Sequence, residues 1–243
     1  TLDPARATAG YLARVNGTAR ARSDAYFEGG YDLRFFDLVY AVVVAGLLLW
    51  LRVSTSIRDF AAAQTHSRFW QAPIYVALLA GIVALLAFPP ALYEGFLREH
   101  SYGFSNQSFL AWFTGYLAIC AVLCVGAMLV LTPIYAIMRR DRQTWWIWGA
   151  GIAILFGILV TIAYPGFIAP LFGHYTPLPE GALKQDIVSL ARANGVPAAS
   201  LYEVDESRRS TRLGSGVAGF LGTTRISLSD NLLREGTHDE VMA

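Results

Sequence analysis

The stretch that decides the fold is Phe109–Met138, FLAWFTGYLAICAVLCVGAMLVLTPIYAIM, which carries no charged side chain. A helix needs about 20 apolar residues to cross the roughly 30 Å hydrocarbon core of a bilayer, so this segment is long enough to span. Helical backbone also satisfies its own N–H and C=O groups, which lipid cannot do. Two other stretches, Phe69–Tyr93 and Thr144–Gly173, are uncharged throughout and pass the same test. A further one, Leu38–Leu51, is shorter and reaches spanning length only with Phe35, Phe36 and Val53 around Asp37 and Arg52. The pattern predicts a mainly α, polytopic membrane protein with four transmembrane helices over 35–53, 69–93, 109–138 and 144–173. An extramembrane segment, 1–34, precedes them.

Composition agrees. Hydrophobic residues make up 55% of the 243-residue chain and charged residues 15%, where soluble domains carry about a quarter charged. Disorder needs low hydrophobicity and high net charge, and is excluded. A net charge of +1 gives no electrostatic footprint for nucleic acid. Two cysteines do not make a disulfide scaffold. They are Cys120 and Cys124, four apart on one helix face, and read as packing residues. Pro73, Pro89, Pro90, Pro133 and Pro165 read as span ends or breaks. No ionisable residue lies mid-span, which argues against a proton- or ion-coupled transporter. The start at Thr1 shows neither a signal h-region nor an initiator methionine and reads as trimmed. Residues 3–30, with Leu12, Val15 and Ala19 at helical spacing, read as a helix on the membrane surface.

Loop charge sets an expected orientation. Arg52, Arg58 and Arg68 follow the first span and Arg139, Arg140 and Arg142 the third, while Arg98 is alone after the second. Short Arg-rich loops lie on the cytoplasmic side. Trp50, Trp70, Trp145, Trp146 and Trp148 flank the same two loops, as an interfacial belt would. The tail after Gly173 is thereby expected outside the cytoplasm, in a bacterial inner membrane.

From Thr176 the composition turns polar, and 174–243 reads as a mixed α and β domain. Pro179 opens a helix with Leu183, Ile187, Leu190 and Ala191 on one face, which Gly195 and Pro197 terminate. Ser200–Val204 reads as a strand and Asp205–Arg212 as a polar connection. Leu213–Phe220 and Arg225–Ser229 read as a hairpin around Leu221-Gly222-Thr223-Thr224. Gly214, Gly216 and Gly219 weaken its first strand, or admit another backbone close by. Thr237-His238-Asp239-Glu240 fits a capping box, with Thr237 as N-cap, so a helix begins there. His238 is followed by Asp239, with Met242 a turn later, and so does not make the two-histidine zinc pattern.

Several blocks together resemble the integral-membrane CAAX prenyl endopeptidases, zincin metalloproteases. They are Glu99–Gln107, Tyr164–Phe172 continued by His174–Leu178, Leu201–Ser210 and Thr224–Leu233. The likeness runs in order from about Arg34 to Ala243. It implies that 174–243 is the first part of an α+β zincin-like domain, with the H-E-x-x-H zinc motif and a later Glu ligand beyond Ala243. Zinc would polarise the scissile carbonyl while the motif Glu acts as general base. A peptide or protein substrate, from membrane-associated, lipidated or misfolded chains, would lie along an edge strand matching Gly214, Ser215, Gly216, Val217 and Ala218. The family usually has Asn-Ala near that strand's start, where this chain has Gly214-Ser215. The family's eukaryotic members are described with a cytosolic catalytic domain, opposite to the side given by loop charge. The expected function is a membrane zinc metalloendopeptidase, with these residues alone inactive. The rivals are a catalytically empty membrane scaffold that binds protein substrates, and a small transporter.

Overall fold

The computed structural model describes residue 10 and residues 17–169, 173–196, 200–219 and 224–242. Leu12, Val15, Pro197 and most of the expected hairpin turn, 221–223, lie outside them. The chain forms two compact units, Thr1–Ser56 and Ile57–Ala243. The first holds α1 (Gly17–Trp50), one unbroken helix with no buried residue. It begins well before the apolar stretch at 35 and takes in Ala19 and the charged residues up to Asp37. It stops at a backbone break in which Arg52 takes a φ of +52°. From there α2 (Val53–Gln64) runs into the second unit, where it buries Ile57 and Ala61.

The second unit contains three further helices long and apolar enough to cross a membrane: α3 (Arg68–Ser101), α4 (Phe109–Arg140) and α5 (Trp145–Ala163). With α1 they make the four expected spans, and their large apolar side chains face outward, as lipid allows. Of the expected span ends or breaks, the prolines inside α3 act as breaks. Pro89 and Pro90 lie inside α3 and do not end it. Each removes a backbone donor, and the ladder resumes as a π-helical segment, Tyr93–Arg98, before α3 finishes at Ser101. Pro165 sits in a second π-helical turn, Tyr164–Ile168, at the end of α5. Such turns are rare and gather at functional sites.

Aromatic rings join α3 to α4. Phe88 packs edge-on to Tyr116 at 5.7 Å and Phe96 to Phe109 at 5.6 Å. The Tyr116 hydroxyl donates to the Ala84 carbonyl at 2.5 Å, crossing between the two helices. Gly126 gives α4 its close approach to α5, since a Cβ there would lie 3.3 Å from Phe156 Cζ. At the start of α4 the Ser108 hydroxyl accepts from the Ala111 amide. At its end Asp141 closes a short loop by accepting from the amides of Gln143 and Thr144 and from the Thr144 hydroxyl. Those bonds, that hydroxyl's first, hold its carboxyl below the ordinary range.

The tail is a four-stranded sheet with helices on one face. In chain order it comprises β1 (Tyr175–Pro177), α6 (Ala182–Ala193), β2 (Ser200–Val204), β3 (Ser215–Ala218), β4 (Arg225–Ser229), α7 (Asp230–Glu235) and α8 (His238–Met242). The sheet order is β1-β2-β4-β3, with β2 and β4 parallel and both edge strands antiparallel. Successive strand side chains point to opposite faces. Leu201, Ile226 and Leu228 therefore share one face, and bury with Ile187 and Ala191 of α6 and with Leu178. Tyr202, Val204, Ser227 and Ser229 lie on the other. The expected α6, β2 and hairpin strands are all present. β1 and α7 were not anticipated, because neither a three-residue strand nor a six-residue helix has room for a periodicity. The capping box forms as expected: the Thr237 amide and hydroxyl donate to Glu240 at 2.8 Å, and the Glu240 amide donates back to the Thr237 hydroxyl.

Gly195 ends α6 with a φ of +71°. An L residue in that conformation costs on the order of 1–2 kcal/mol. Gly195→Ala is thus expected to lower tail stability by about 1 kcal/mol, read as faster amide exchange across α6; unchanged exchange would contradict it.

Candidate functional site

A cavity of about 670 Å³ opens between the polar face of the sheet and the ends of α3, α4 and α5. Both π-helical segments border it, through Gly95 and Tyr164. Trp112 of α4 contributes to the same wall, and its Nε1 lies 3.0 Å from where a Gly95 Cβ would stand. The sheet contributes Tyr175, Val204, Ser227 and Ser229, the face opposite the hydrophobic core. Glu206, Arg209, Ser210 and Arg212 form the polar rim.

Two polar seams hold this space open at a fixed shape. One joins the α3–α4 loop to the connection after β2. Asn106 donates from its amide to the Arg209 carbonyl at 3.2 Å and from its side chain to the Ser207 carbonyl at 3.0 Å. Thr211 donates to the Phe104 and Gly103 carbonyls, and Ser105 forms a bridge with Ser210. Arg212 closes the seam. Its guanidinium reaches both Glu99 carboxylate oxygens, at 2.9 and 3.0 Å, and covers the Phe104 ring at 4.9 Å.

The other seam is the run Ser229-Asp230-Asn231, buried although wholly polar. Buried polar groups persist only when hydrogen-bonded. Asp230 Oδ1 accepts from the amides of Glu206, Ser207 and Asn231, at 2.9, 2.9 and 3.0 Å. The Asn231 side chain donates to the Ser210 and Arg212 carbonyls, at 2.7 and 3.1 Å. The Ser229 hydroxyl accepts from the Gly214 amide at 2.9 Å and, as N-cap of α7, from the Leu232 amide. Burial alone would raise the Asp230 carboxyl. The Ser207 hydroxyl and amide, the Glu206 amide and Arg234 outweigh it and hold the group below its ordinary value.

Gly214, Ser215, Gly216, Val217 and Ala218 come together as one edge strand, β3, preceded by Gly214. Gly214, Ser215 and Gly216 line the cavity, and Val217 and Ala218 continue the strand away from it. The ladder gives its polarity. The Ser229 amide donates to the Gly214 carbonyl at 2.8 Å, so Gly214 and Ser229 are a hydrogen-bonded pair. Pairs alternate along an antiparallel ladder. Gly216 therefore bonds to Ser227, while the backbone N–H and C=O of Ser215 and Val217 point away from the sheet. The glycine at 214 also has a spatial reason, because a Cβ there would stand 3.1 Å from a Glu206 carboxylate oxygen. An asparagine would have to displace Glu206.

Sequence reasoning missed the other wall. Glu99 opens one of the blocks that carry the resemblance, but Arg212 is far from it in the chain, so nothing local linked the two. The buried Ser229-Asp230-Asn231 run was quoted within a resembling block but carried no signal of burial. Among the described residues, no three His, Cys, Asp or Glu side chains gather closely enough to hold a metal ion. The described residues do not fit a zinc site.

A family model described as CAAX prenyl protease N-terminal, five membrane helices, matches residues 13–174. The chain belongs to the CAAX prenyl protease family. It is 29% identical over 214 residues to the mouse CAAX prenyl protease 1 homolog, covering 86% of this chain and 42% of that protein. The human homolog is 30% identical, over 77% of this chain and 39% of its own length. A Bacillus subtilis protein named uncharacterized metalloprotease YhfN is 25% identical, over 88% of this chain and 48% of its own. The crystal structure of S. mikatae Ste24p superposes with a TM-score of 0.81 at 23% identity, covering 93% of this chain and 55% of that one. This likeness establishes the fold. The chain spans less than half the length of these curated relatives. Family membership and the four helices together make it an integral membrane protein.

Replacing the Asp230 carboxylate should loosen the whole rim of the cavity. Asp230→Ala strands three amide donors and is expected to cost on the order of 3 kcal/mol, with rapid amide exchange at Glu206 and Ser207. Because the folded carboxyl lies below its ordinary value, its contribution is complete above the ordinary carboxylate range. It fades as pH falls through the lowered folded value. A rim whose protection is the same in Asp230→Ala and the parent would refute this role.

Proposed function

We propose that this chain is the membrane-embedded portion of a zinc metalloendopeptidase, in which β3 receives the substrate peptide as an added antiparallel strand. The observation that carries the reading is an open strand edge, with outward main-chain groups at Ser215 and Val217, beside a cavity walled by membrane helices. Strand addition draws affinity from main-chain hydrogen bonds and specificity from pockets for alternate side chains. The cavity is large enough for several substrate side chains. Peptide or protein chains held near the bilayer, lipidated or misfolded, are the substrates proposed, and 174–243 is the proposed partial metallopeptidase domain following the membrane region 35–173. The metalloprotease relative supports a metal cofactor, which we take to be zinc. Its ligands and the general base are proposed to come from outside these residues. A tail outside the cytoplasm is proposed from the loop arginines, and a bacterial inner membrane is proposed as the bilayer.

The same edge serves a second reading, a scaffold that binds unfolded or lipidated chains without cleaving them. The open edge alone carries this alternative, since strand addition binds a peptide without any metal. Zinc content and peptide cleavage separate the two. These 243 residues alone are expected to bind no stoichiometric zinc and cleave nothing, whereas the whole protein does both under the first reading and neither under the second.

Proline at 217 removes one outward N–H and leaves the β4 ladder intact, as edge positions permit. In the whole protein Val217→Pro is expected to weaken peptide binding about tenfold, the worth of one main-chain hydrogen bond, while the melting temperature holds. Gly216→Pro should break the ladder and lower that temperature. Peptide affinity undiminished in Val217→Pro would exclude the strand-addition mode.

A further inference from the structure

At the opposite end of α3 and α4 a second cavity, of about 320 Å³, opens between the first turns of α3 and the last turns of α4. Arg68, Arg139 and Arg140 line it on the exposed side, and the buried Ala72 and Thr132 line it on the other. On α4 the spacing 132, 136, 139, 140 is i, i+4, i+7, i+8, one continuous stripe of a helix. No carboxylate of the described residues pairs with these three arginines. Asp141, beside them in sequence, is engaged by Gln143 and Thr144. Arg139 is held across the mouth, donating to the Arg68 carbonyl at 3.4 Å and lying over the Tyr135 ring at 4.3 Å.

Thr132 supplies the independent sign of a ligand. The residue is 8% exposed and its hydroxyl has no hydrogen-bond partner. A helical threonine normally returns its hydroxyl to the carbonyl one turn back, and a buried donor left unmade is costly. Electrostatics sets the sign. The uncapped N-terminus of α3 and the C-terminus of α4 contribute about half a charge each, of opposite sign, and cancel. Three guanidiniums remain.

We infer that this cavity binds the headgroup of an anionic phospholipid, with the phosphate at the arginines and a glycerol or ester oxygen accepting from the Thr132 hydroxyl. Depth selects a lipid over a free phosphate. Seven residues of helix separate Thr132 from Arg139, roughly 10 Å along the axis, more than one phosphate ion spans. The apolar surface of Phe69 and Ala72 would take the upper acyl chain. Exposed Trp70 and Trp146 put the mouth at headgroup level. Basic pockets between helices on the Arg-rich side suit such lipids.

The test uses the chain in phosphatidylcholine nanodiscs with phosphatidylglycerol added, reading retained lipid by native mass spectrometry. One phosphatidylglycerol should be retained in preference to phosphatidylcholine. Arg140→Gln should weaken it five- to tenfold and Thr132→Val should weaken it measurably, while Arg142→Gln, outside the cavity, leaves it unchanged. Equal losses in Arg142→Gln and Arg140→Gln would mean diffuse attraction and overturn the site. Full affinity in Thr132→Val, or displacement of the lipid by excess inorganic phosphate, would overturn the assigned lipid pose.

Discussion

The buried carboxylate of Asp230 is the constraint on which the tail depends. One oxygen gathers three amides, two of them from the connection that follows β2. Its neighbours Ser229 and Asn231 fasten the next residues of the same connection and the start of β3. An unpaired buried carboxylate would be far more costly than any surface pair. The chain from Asp205 to Gly214 is therefore obliged to wrap around α7, and its outer side becomes the rim of the cavity. The position of the edge strand follows from that wrap.

A second dependence runs between the tail and the membrane helices. Arg212 and Glu99 meet with two short contacts beside the Phe104 ring, and Asn106 and Thr211 complete the seam with backbone bonds. A single exposed ion pair contributes little. Here one guanidinium nitrogen, Arg212 Nη2, reaches both Glu99 oxygens within a ladder of neutral bonds, so removing either partner disturbs neighbours as well. The π-helical turns at Tyr93–Arg98 and Tyr164–Ile168 re-aim the ends of α3 and α5 toward the same space. Proline placement thus shapes the cavity wall instead of terminating the helices.

Much of this was legible from the chain. Three uncharged runs of spanning length, with the shorter run Leu38–Leu51 extended around Asp37 and Arg52, pointed to the four membrane helices, because lipid tolerates only internally bonded backbone. Helical spacing from Leu183 to Ala191 gave α6, and Thr237 with Glu240 gave the start of α8, both being local patterns. The β-prone stretch Leu213–Phe220 was also local, while 214–218 as the substrate-binding edge came from the resemblance. What stayed hidden was non-local: the pairing of Tyr175–Pro177 with β2, the partnership of Glu99 with Arg212, and the burial of Ser229-Asp230-Asn231. Helix bounds were displaced wherever charge was used as a stop signal. Glu94, Arg98 and Glu99 are helical because α3 extends past the apolar stretch into polar surroundings made by the tail.

By itself the sequence determined that this is a polytopic membrane protein with a small α+β tail, since hydropathy and short-range periodicity are written residue by residue. It also carried the ordered blocks that resemble CAAX prenyl proteases. The resemblance pointed to 214–218 as an edge strand; the tertiary structure alone decided which of its amides point outward and what stands opposite it. Those outcomes depend on register and on contacts between residues a hundred positions apart, and no local pattern encodes either.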